Sequence, residues 1–222
     1  ATVTTGTAGK LEFKQGGTAS GTINAEDATF KIGADYDIGG TLITSSGTAW
    51  ELGTSNLDLS GGSLVLGGNV VLDNVITNNQ TKFELAEDAT VTRNAGFTLR
   101  KVKLNDKIFT LGSATTDLTV DLSSASGTGS NTGTIATQTA DFTVLGALTF
   151  ETGNTLSSTG GELSFADGIT INGAAINLQD TTLAVGSNLT KTGGTITLNQ
   201  ADLELISDLN LSSDAALSFT QL

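Results

Sequence analysis

The sequence predicts an all-β chain folded as a right-handed parallel β-helix, a β-solenoid of about 20 residues per coil and about 11 coils with uncapped ends. Three observations carry this prediction. Apolar and polar residues alternate with a period of two, the alternating segments recur at a nearly constant interval, and proline is absent. A proline would remove a ladder hydrogen bond from every coil that contained it, so its absence favours a stack of coils.

The repeated unit is a pair of short alternating segments separated by three residues. In the C-terminal half, successive units start at Phe142, Leu163, Leu183 and Leu203, which sets the period of the repeat. The sequence AEDAT begins at Ala25 and again at Ala86, close to three such periods later. A propeller blade needs about 40 to 45 residues. A strand repeat half as long is therefore typical of one coil of a parallel β-helix.

The repeat divides the chain into two parts. Residues 123–133 interrupt it with Gly, Ser, Thr and Asn, and predict a surface loop or joint between an N-terminal part, 1–122, and a C-terminal part, 134–222. One continuous solenoid is the favoured interpretation. Both ends of the chain have the pattern of further strands rather than of a polar cap. We therefore expect self-assembly ends formed by Thr2, Val3, Thr4, Leu217, Phe219 and Leu222.

Composition excludes several classes of function. The chain has no Cys and no His, which excludes a zinc finger, a haem histidine, a cysteine nucleophile and a Ser-His-Asp triad. The net charge of −13 argues against nucleic acid and anionic lipid as partners. No apolar run approaches the length of a membrane span, so we expect no membrane insertion. We expect no cofactor, although the acidic surface leaves calcium open. The chain contains no Met, so we expect a processed product or a piece of a longer protein.

Carboxylate pairs are the candidates for catalysis, because glycoside hydrolysis needs two carboxyl groups. Asp35 and Asp37 are two residues apart, so on a strand they share one face at about 6.5 to 7 Å. A solvated acidic corner is the favoured interpretation of this pair. Glu26-Asp27 and Glu87-Asp88 occupy equivalent positions of the repeat. Recurrence indicates a structural corner, since an active site is normally single.

The basic residues are unevenly distributed. Half of the ten cations fall close together in the chain and are Arg93, Arg100, Lys101, Lys103 and Lys107. Because residues one coil apart stack in a solenoid, these five predict a positive patch on an acidic rod. Such a patch could bind an acidic glycan or the acidic flank of a neighbouring subunit. A charge-balanced exposed face is the alternative and the favoured interpretation.

Gly-Gly-x-apolar-x-apolar units occur at 61–66, 160–165 and 193–198, and residues 104–112 read LNDKIFTLG. This style of repeat resembles the β-solenoid regions of bacterial surface proteins, the autotransporter-like and filamentous-haemagglutinin-like adhesins. The resemblance covers nearly the whole chain and implies a secreted, cell-surface structural or adhesive protein. It transfers no site residues. The same fold also hosts pectate-lyase-like and tailspike glycan depolymerases.

The functional prediction is an extracellular structural or adhesive solenoid module, not an enzyme, that assembles head to tail into a homopolymeric fibre or filament. Two alternatives stay open. One is an adhesin that binds surface glycans. The other is a polysaccharide-degrading enzyme of the pectin-lyase-like or tailspike type.

Overall fold

The computed structural model describes residues 2–4, 9–78, 80–93, 96–112, 118–121, 133–211 and 217–220. Every regular element among these residues is a strand, and none is a helix. The prediction of an all-β chain is therefore confirmed.

The strands are short. From the N-terminus to Asp121 they are β1 (Thr2–Thr4), β2 (Lys10–Phe13), β3 (Gly17–Ala19), β4 (Thr22–Asn24), β5 (Thr29–Ile32), β6 (Tyr36–Ile38), β7 (Thr41–Ile43), β8 (Ala49–Glu51), β9 (Leu57–Asp58), β10 (Ser63–Leu66), β11 (Val70–Val71), β12 (Val75–Ile76), β13 (Lys82–Leu85), β14 (Ala89–Thr92), β15 (Phe97–Leu99), β16 (Lys101–Lys103), β17 (Ile108–Leu111) and β18 (Leu118–Asp121). From Gly133 onward they are β19 (Gly133–Gln138), β20 (Phe142–Leu145), β21 (Leu148–Glu151), β22 (Asn154–Ser158), β23 (Glu162–Phe165), β24 (Ile169–Asn172), β25 (Ala175–Gln179), β26 (Thr182–Val185), β27 (Leu189–Lys191), β28 (Thr195–Asn199), β29 (Asp202–Leu205), β30 (Leu209–Leu211) and β31 (Leu217–Thr220).

All of these strands pair in parallel with strands of the neighbouring coils. The N-terminal sheets have the orders β1-β4-β7-β10-β13-β16, β2-β5-β8 and β3-β6-β9-β12. The other three have the orders β11-β14-β17-β19-β22-β25-β28-β31, β15-β18-β20-β23-β26-β29 and β21-β24-β27-β30. Since each strand generally pairs with the third strand before and after it, three strands complete one coil. This topology confirms the β-solenoid.

The register repeats at ~20 residues per coil, as predicted. Leu163 pairs with Leu183, and Leu183 pairs with Leu203. The structure forms about nine coils, so the prediction of about 11 was wrong. Dividing the chain length by the repeat length gives too many coils, because some coils are longer than the repeat. The longest example is the step from β17 to β19, in which Ile108 pairs with Thr134.

The predicted joint at 123–133 lies outside the described residues, except for Gly133, where β19 begins. The parallel sheet that contains β17 and β19 extends from β11 to β31, on both sides of this segment. The division into two parts stays a prediction.

The core is a set of apolar ladders inside the coils. Alternate residues of each strand face inward, and register places the inward residue of one coil on that of the next. Phe142 pairs with Leu163, and Val144 pairs with Phe165. Phe165 is fully buried, and its ring lies 6.1 Å from the ring of Phe142 and 6.3 Å from that of Phe150, both nearly perpendicular. Stacked Leu, Ile, Val and Phe side chains therefore form one continuous aliphatic and aromatic interior.

Polar side chains tie successive coils together at the corners. The Oδ1 atom of Asp88 accepts a hydrogen bond from the backbone N–H of Ile108 at 2.9 Å, and Oδ1 of Asp141 accepts one from Glu162 at 2.8 Å. Buried Thr81 donates its hydroxyl proton to the carbonyl oxygen of Leu59 at 2.8 Å. These bonds satisfy backbone groups that leave the sheet ladder where the chain turns.

Glycine is required where consecutive coils approach most closely. At Gly194, where φ is +73°, a Cβ atom would overlap the carbonyl oxygen of Ala174 in the preceding coil. A Cβ atom at Gly62 would overlap the carbonyl oxygen of Ile38. These two Gly-Gly pairs therefore lie at corners where the backbone of the preceding coil leaves no room for a Cβ atom.

We predict that Phe165→Ala lowers the free energy of unfolding by about 3–5 kcal/mol, because it removes a buried ring that contacts two other rings. The measurement is the midpoint of urea unfolding. Phe13→Ala in the first coil is the matched control, since Phe13 is only half-buried. A loss for Phe165→Ala no larger than that for Phe13→Ala would contradict the continuous core.

Candidate functional site

Strand β16 holds the centre of the predicted positive patch. Lys101 and Lys103 are exposed on either side of Val102, which faces the interior. Register places Lys101 beside Lys82 and Lys103 beside Glu84 of the preceding coil. The side chains of Lys82 and Lys101 therefore start from adjacent positions on one face, about 4.8 Å apart in backbone spacing.

Sequence reasoning missed Lys82, although a signal was present. Lys82 precedes Lys101 by one coil of this part of the chain. The prediction of the patch used residues that are close together in the sequence, whereas stacking in a solenoid brings together residues one coil apart.

The second pair on this face is an ion pair. The Nζ atom of Lys103 lies 2.7 Å from Oε1 of Glu84, and Nδ2 of Asn105 donates to the same oxygen at 3.1 Å. The hydrogen bonds from Lys103 and Asn105 hold the pKa of the Glu84 carboxyl below its ordinary value, against a smaller opposing effect of burial. Lys103 is thus partly neutralised, whereas register places Lys82 and Lys101 next to a like charge.

The remaining predicted cations lie around this strand and at corners. Arg100 immediately precedes β16, and its Nη1 atom is 3.4 Å from Oε1 of Gln80. Lys107 ends a turn, in which its backbone N–H donates a hydrogen bond to the carbonyl oxygen of Leu104 at 3.0 Å. Binding of an acidic ligand by these residues stays a prediction.

Arg93 occupies a different environment, at the corner between β14 and β15. Its guanidinium carbon lies 5.7 Å from the centre of the Phe97 ring, and Nη1 is 3.5 Å from Oγ1 of Thr77. Burial lowers the pKa of Arg93, and the nearby Asp73 carboxylate opposes this effect. The side chain therefore packs on an aromatic ring instead of extending into solvent.

One of the two candidate catalytic carboxylates, Asp35, has a structural partner. Oδ1 of Asp35 accepts a hydrogen bond from the N–H of Asn56, one coil on, at 2.8 Å. Asp37 lies within β6 and is in register with Asp58. Asp35 therefore bridges two coils in the same way as Asp88 and Asp141.

The two acidic corners that share the AEDAT sequence are also built into the coils. Asp27, with φ at +51°, accepts a hydrogen bond from the hydroxyl of Ser45 at 2.8 Å, and Glu26 accepts one from Nδ2 of Asn24 at 2.8 Å. Asp88, which occupies the same position of AEDAT as Asp27, accepts a hydrogen bond from the N–H of Ile108, as described above.

Calcium has no candidate cluster among these carboxylates. Within the described ranges, no group of three or more Asp and Glu side chains is arranged to hold a metal ion. Glu87, next to Asp88, is exposed. The expectation of no cofactor, with calcium left open, stays a prediction.

The predicted self-assembly ends lie on edge strands. Thr2, Val3 and Thr4 form β1, the first strand of its sheet, and all three are exposed. Leu217 and Phe219 lie in β31, the last strand of its sheet, in register with Ile196 and Leu198. The remaining predicted residue, Leu222, lies outside the described residues.

Comparisons with protein-family models, with curated proteins and with solved structures each found no match for this chain. In the part of the chain that the structure describes, no helix is long and apolar enough to cross a membrane. The comparisons therefore name no family, and the class of protein rests on the fold, a parallel β-solenoid with a repeat of ~20 residues.

We predict that Lys103→Ala raises the pKa of Glu84 toward its ordinary value, because it removes the largest cause of the lowered pKa. A carboxyl whose pKa is lower in the folded chain stabilises the fold above its unfolded pKa, about 4.3. That stabilisation is lost as the pH falls through the folded pKa. The measurement is an NMR titration of the Glu84 side chain.

Lys101→Ala is the control for this titration. Lys101 affects Glu84 only through the smallest of the electrostatic contributions. An equal rise in the two variants would show that general charge, and not the Lys103–Glu84 hydrogen bond, lowers the pKa.

Proposed function

We propose that the chain is a structural solenoid module that adds head to tail to a second copy through its terminal coils, as a unit of an extracellular fibre. The observation that carries the proposal is the exposure of inward-facing apolar residues at both ends. The extracellular placement rests on the resemblance of the Gly-Gly units to bacterial surface solenoids.

The first and last coils expose apolar surface that the internal coils bury. Leu11 and Phe13 of β2 are half-buried, whereas their register partners Phe30 and Ile32 in β5 are buried. At the other end, Leu203 and Leu205 of β29 are half-buried, and their partners in β26 are buried. The last residue of each ladder thus packs against an apolar residue on one side only, whereas an internal residue has such a neighbour on both sides. A further coil at either end would remove this surface from water.

The backbone supports the same arrangement. Strands β1, β2 and β3 are edge strands at one end of the stack, and β29, β30 and β31 are edge strands at the other. Each end therefore presents three strand edges with N–H and C=O groups available for a parallel partner. Edges of this kind on both ends of one rod favour heterologous association, which generates an open filament rather than a closed dimer.

We predict that Glu12→Pro weakens self-association at least tenfold, or about 1.4 kcal/mol. The N–H groups of Thr29 and Gly33 donate to the carbonyl oxygens of Gly9 and Phe13 at 2.9 and 2.8 Å. Since alternate residues of a parallel strand bond to the same neighbour, the N–H of Glu12 faces the free edge. Proline there removes a donor to an added coil and no hydrogen bond to β5.

The measurement is sedimentation velocity over a range of concentrations, with electron microscopy of the assembled material. Glu12→Gln is the matched control, because it also removes the Lys10–Glu12 ion pair, 3.5 Å long, but keeps the N–H. Wild-type protein that stays monomeric at about 100 μM would overturn the proposal. Equal association of the proline variant and wild type would show that β2 is not the interface.

The lysine face, Lys82 and Lys101, supports a second candidate function, the binding of an acidic glycan. These two residues are exposed on adjacent coils and in register. Like charges placed side by side on a sheet are destabilising, and an anionic chain along the face would relieve the repulsion.

We predict that the double variant Lys82→Ala and Lys101→Ala binds a heparin oligosaccharide at least tenfold more weakly than wild type at low salt. The measurement is isothermal titration calorimetry. The control removes two other exposed lysines, Lys10 and Lys14, and leaves the same net charge. An equal loss in both double variants would indicate a general charge effect and would contradict a site at this face.

A further inference from the structure

One wall of the solenoid opens between the third and fourth coils. Strand β8 is the last strand of its sheet, and β11 is the first strand of the next, so these two do not pair. The strands before and after them do pair, β7 with β10 and β9 with β12. The opening is therefore confined to one face and closed at both ends by continuous ladders.

Coil lengths differ around the opening. The step from Thr41 to its partner Ser63 is longer than the step from Leu57 to its partner Val75. A turn follows β8, in which Gly53 has φ +60° and the N–H of Ser55 donates to the carbonyl oxygen of Leu52 at 3.1 Å. The chain therefore turns directly after β8, next to the opening.

The opening contains a cleft of about 420 Å³ that is lined by both apolar and polar residues. Leu52 and Val70 line it and are buried, at 8% and 3% exposure. Trp50 also lines it, is half-buried, and packs edge-on against Phe30 with the ring centres 5.7 Å apart. Register with Phe30 shows that Trp50 belongs to the interior ladder, and the missing wall gives its indole access to solvent.

The rim of the cleft is polar. Asn69 and Asp73 lie at its edge, with Thr48 and Asn74 beside them, and Asp73 is exposed. Nδ2 of Asn74 donates to the carbonyl oxygen of Gly53 at 2.6 Å, which fixes one side of the rim.

The backbone adds further polar groups to the cleft. The N–H of Ala49 bonds to the preceding coil and that of Leu72 to the following one. The alternate residues Trp50 and Val71 therefore direct their backbone N–H and C=O groups toward the cleft from its two sides.

We propose that this cleft binds a short neutral saccharide, with one sugar ring packed against Trp50. A sugar ring has an apolar face of C–H groups, which suits an aromatic side chain, and a ring of hydroxyls that both donate and accept. The carboxylate of Asp73, the amide of Asn69 and the edge backbone groups supply complementary acceptors and donors. This site is separate from the terminal coils and from the lysine face, so it stands independently of the two functions proposed above.

The charge and the shape of the cleft select the ligand. Asp73 stands at the rim with Arg93 near its carboxylate, and the chain as a whole has a net charge of −13, which disfavours uronic acids and phosphates. A peptide strand would need an open channel along the sheet. The flanking pairs β7–β10 and β9–β12 close the opening on both sides, so a compact ring suits its shape better than an extended strand that would continue past them.

Trp50 is the only tryptophan of the chain, so its fluorescence reports on this cleft alone. The experiment titrates the full chain with maltotriose, cellotriose, xylotriose and N-acetylated chitotriose, and with trigalacturonate as the charged counterpart. We expect a saturable change in the Trp50 emission with at least one neutral trisaccharide below about 10 mM, and at least tenfold weaker binding of trigalacturonate. No saturable change with any of the four at that concentration overturns the proposal.

Two conservative variants test the assignment of the site. Asn69→Ala and Asp73→Asn should each weaken binding of the responsive trisaccharide about fivefold or more, since each removes or weakens a hydrogen bond. Asn177→Ala is the matched control, an exposed asparagine on β25 in a remote coil. Binding that survives both rim variants overturns the proposal. So does a response to an extended Thr-Val hexapeptide that exceeds the response to every saccharide.

Discussion

Parallel backbone pairing between consecutive coils is the interaction on which the rest of this structure depends. Each strand is too short to be stable alone, and a single coil buries almost nothing. Pairing in register keeps inward residues over inward residues, because side chains alternate with a period of two and the corners absorb differences in coil length. The apolar ladders, the corner hydrogen bonds of Asp88 and Asp141 and the glycines under neighbouring carbonyls all follow from that register.

The same constraint generates the features for which we propose partners. Register brings Lys82 beside Lys101 and Lys103 beside Glu84, so one face carries a pair of like charges next to an ion pair. The ladder ends leave inward apolar side chains of β2 and β29 half-covered. Strands β8 and β11 do not pair, and the interior is open to solvent at Trp50 beside them. The candidate binding surfaces on this solenoid thus arise at three kinds of place. They are where register stacks like charges, where the stack of coils ends, and where two strands of consecutive coils do not pair.

Much of the fold could be predicted from the alternation and its period, because both are local properties. The segments at Leu163 and Leu183 became β23 and β26 in the expected register. The number of coils was overestimated, because dividing the chain length by the repeat assumes coils of equal length. The step from β17 to β19 is longer than the others. The arrangement of the cations was predicted less completely: Lys82, which is in register with Lys101, was not included, and Arg93 packs on Phe97 at the corner between β14 and β15. Binding of a ligand by these residues stays a prediction. Neighbours in a solenoid lie one coil apart, which a count along the chain does not reveal.

The sequence by itself determined that the chain is made of short strands, that they stack at a repeat of ~20 residues, and that Leu, Ile, Val and Phe face inward. These properties depend only on the spacing of residues within one coil. The tertiary structure alone decided which residues of different coils meet, and therefore that Asp35 bridges to Asn56 and that the wall opens at Trp50. Coil lengths differ between the β9–β12 step and the β17–β19 step, so each cross-coil contact depends on the insertions in the coils it joins.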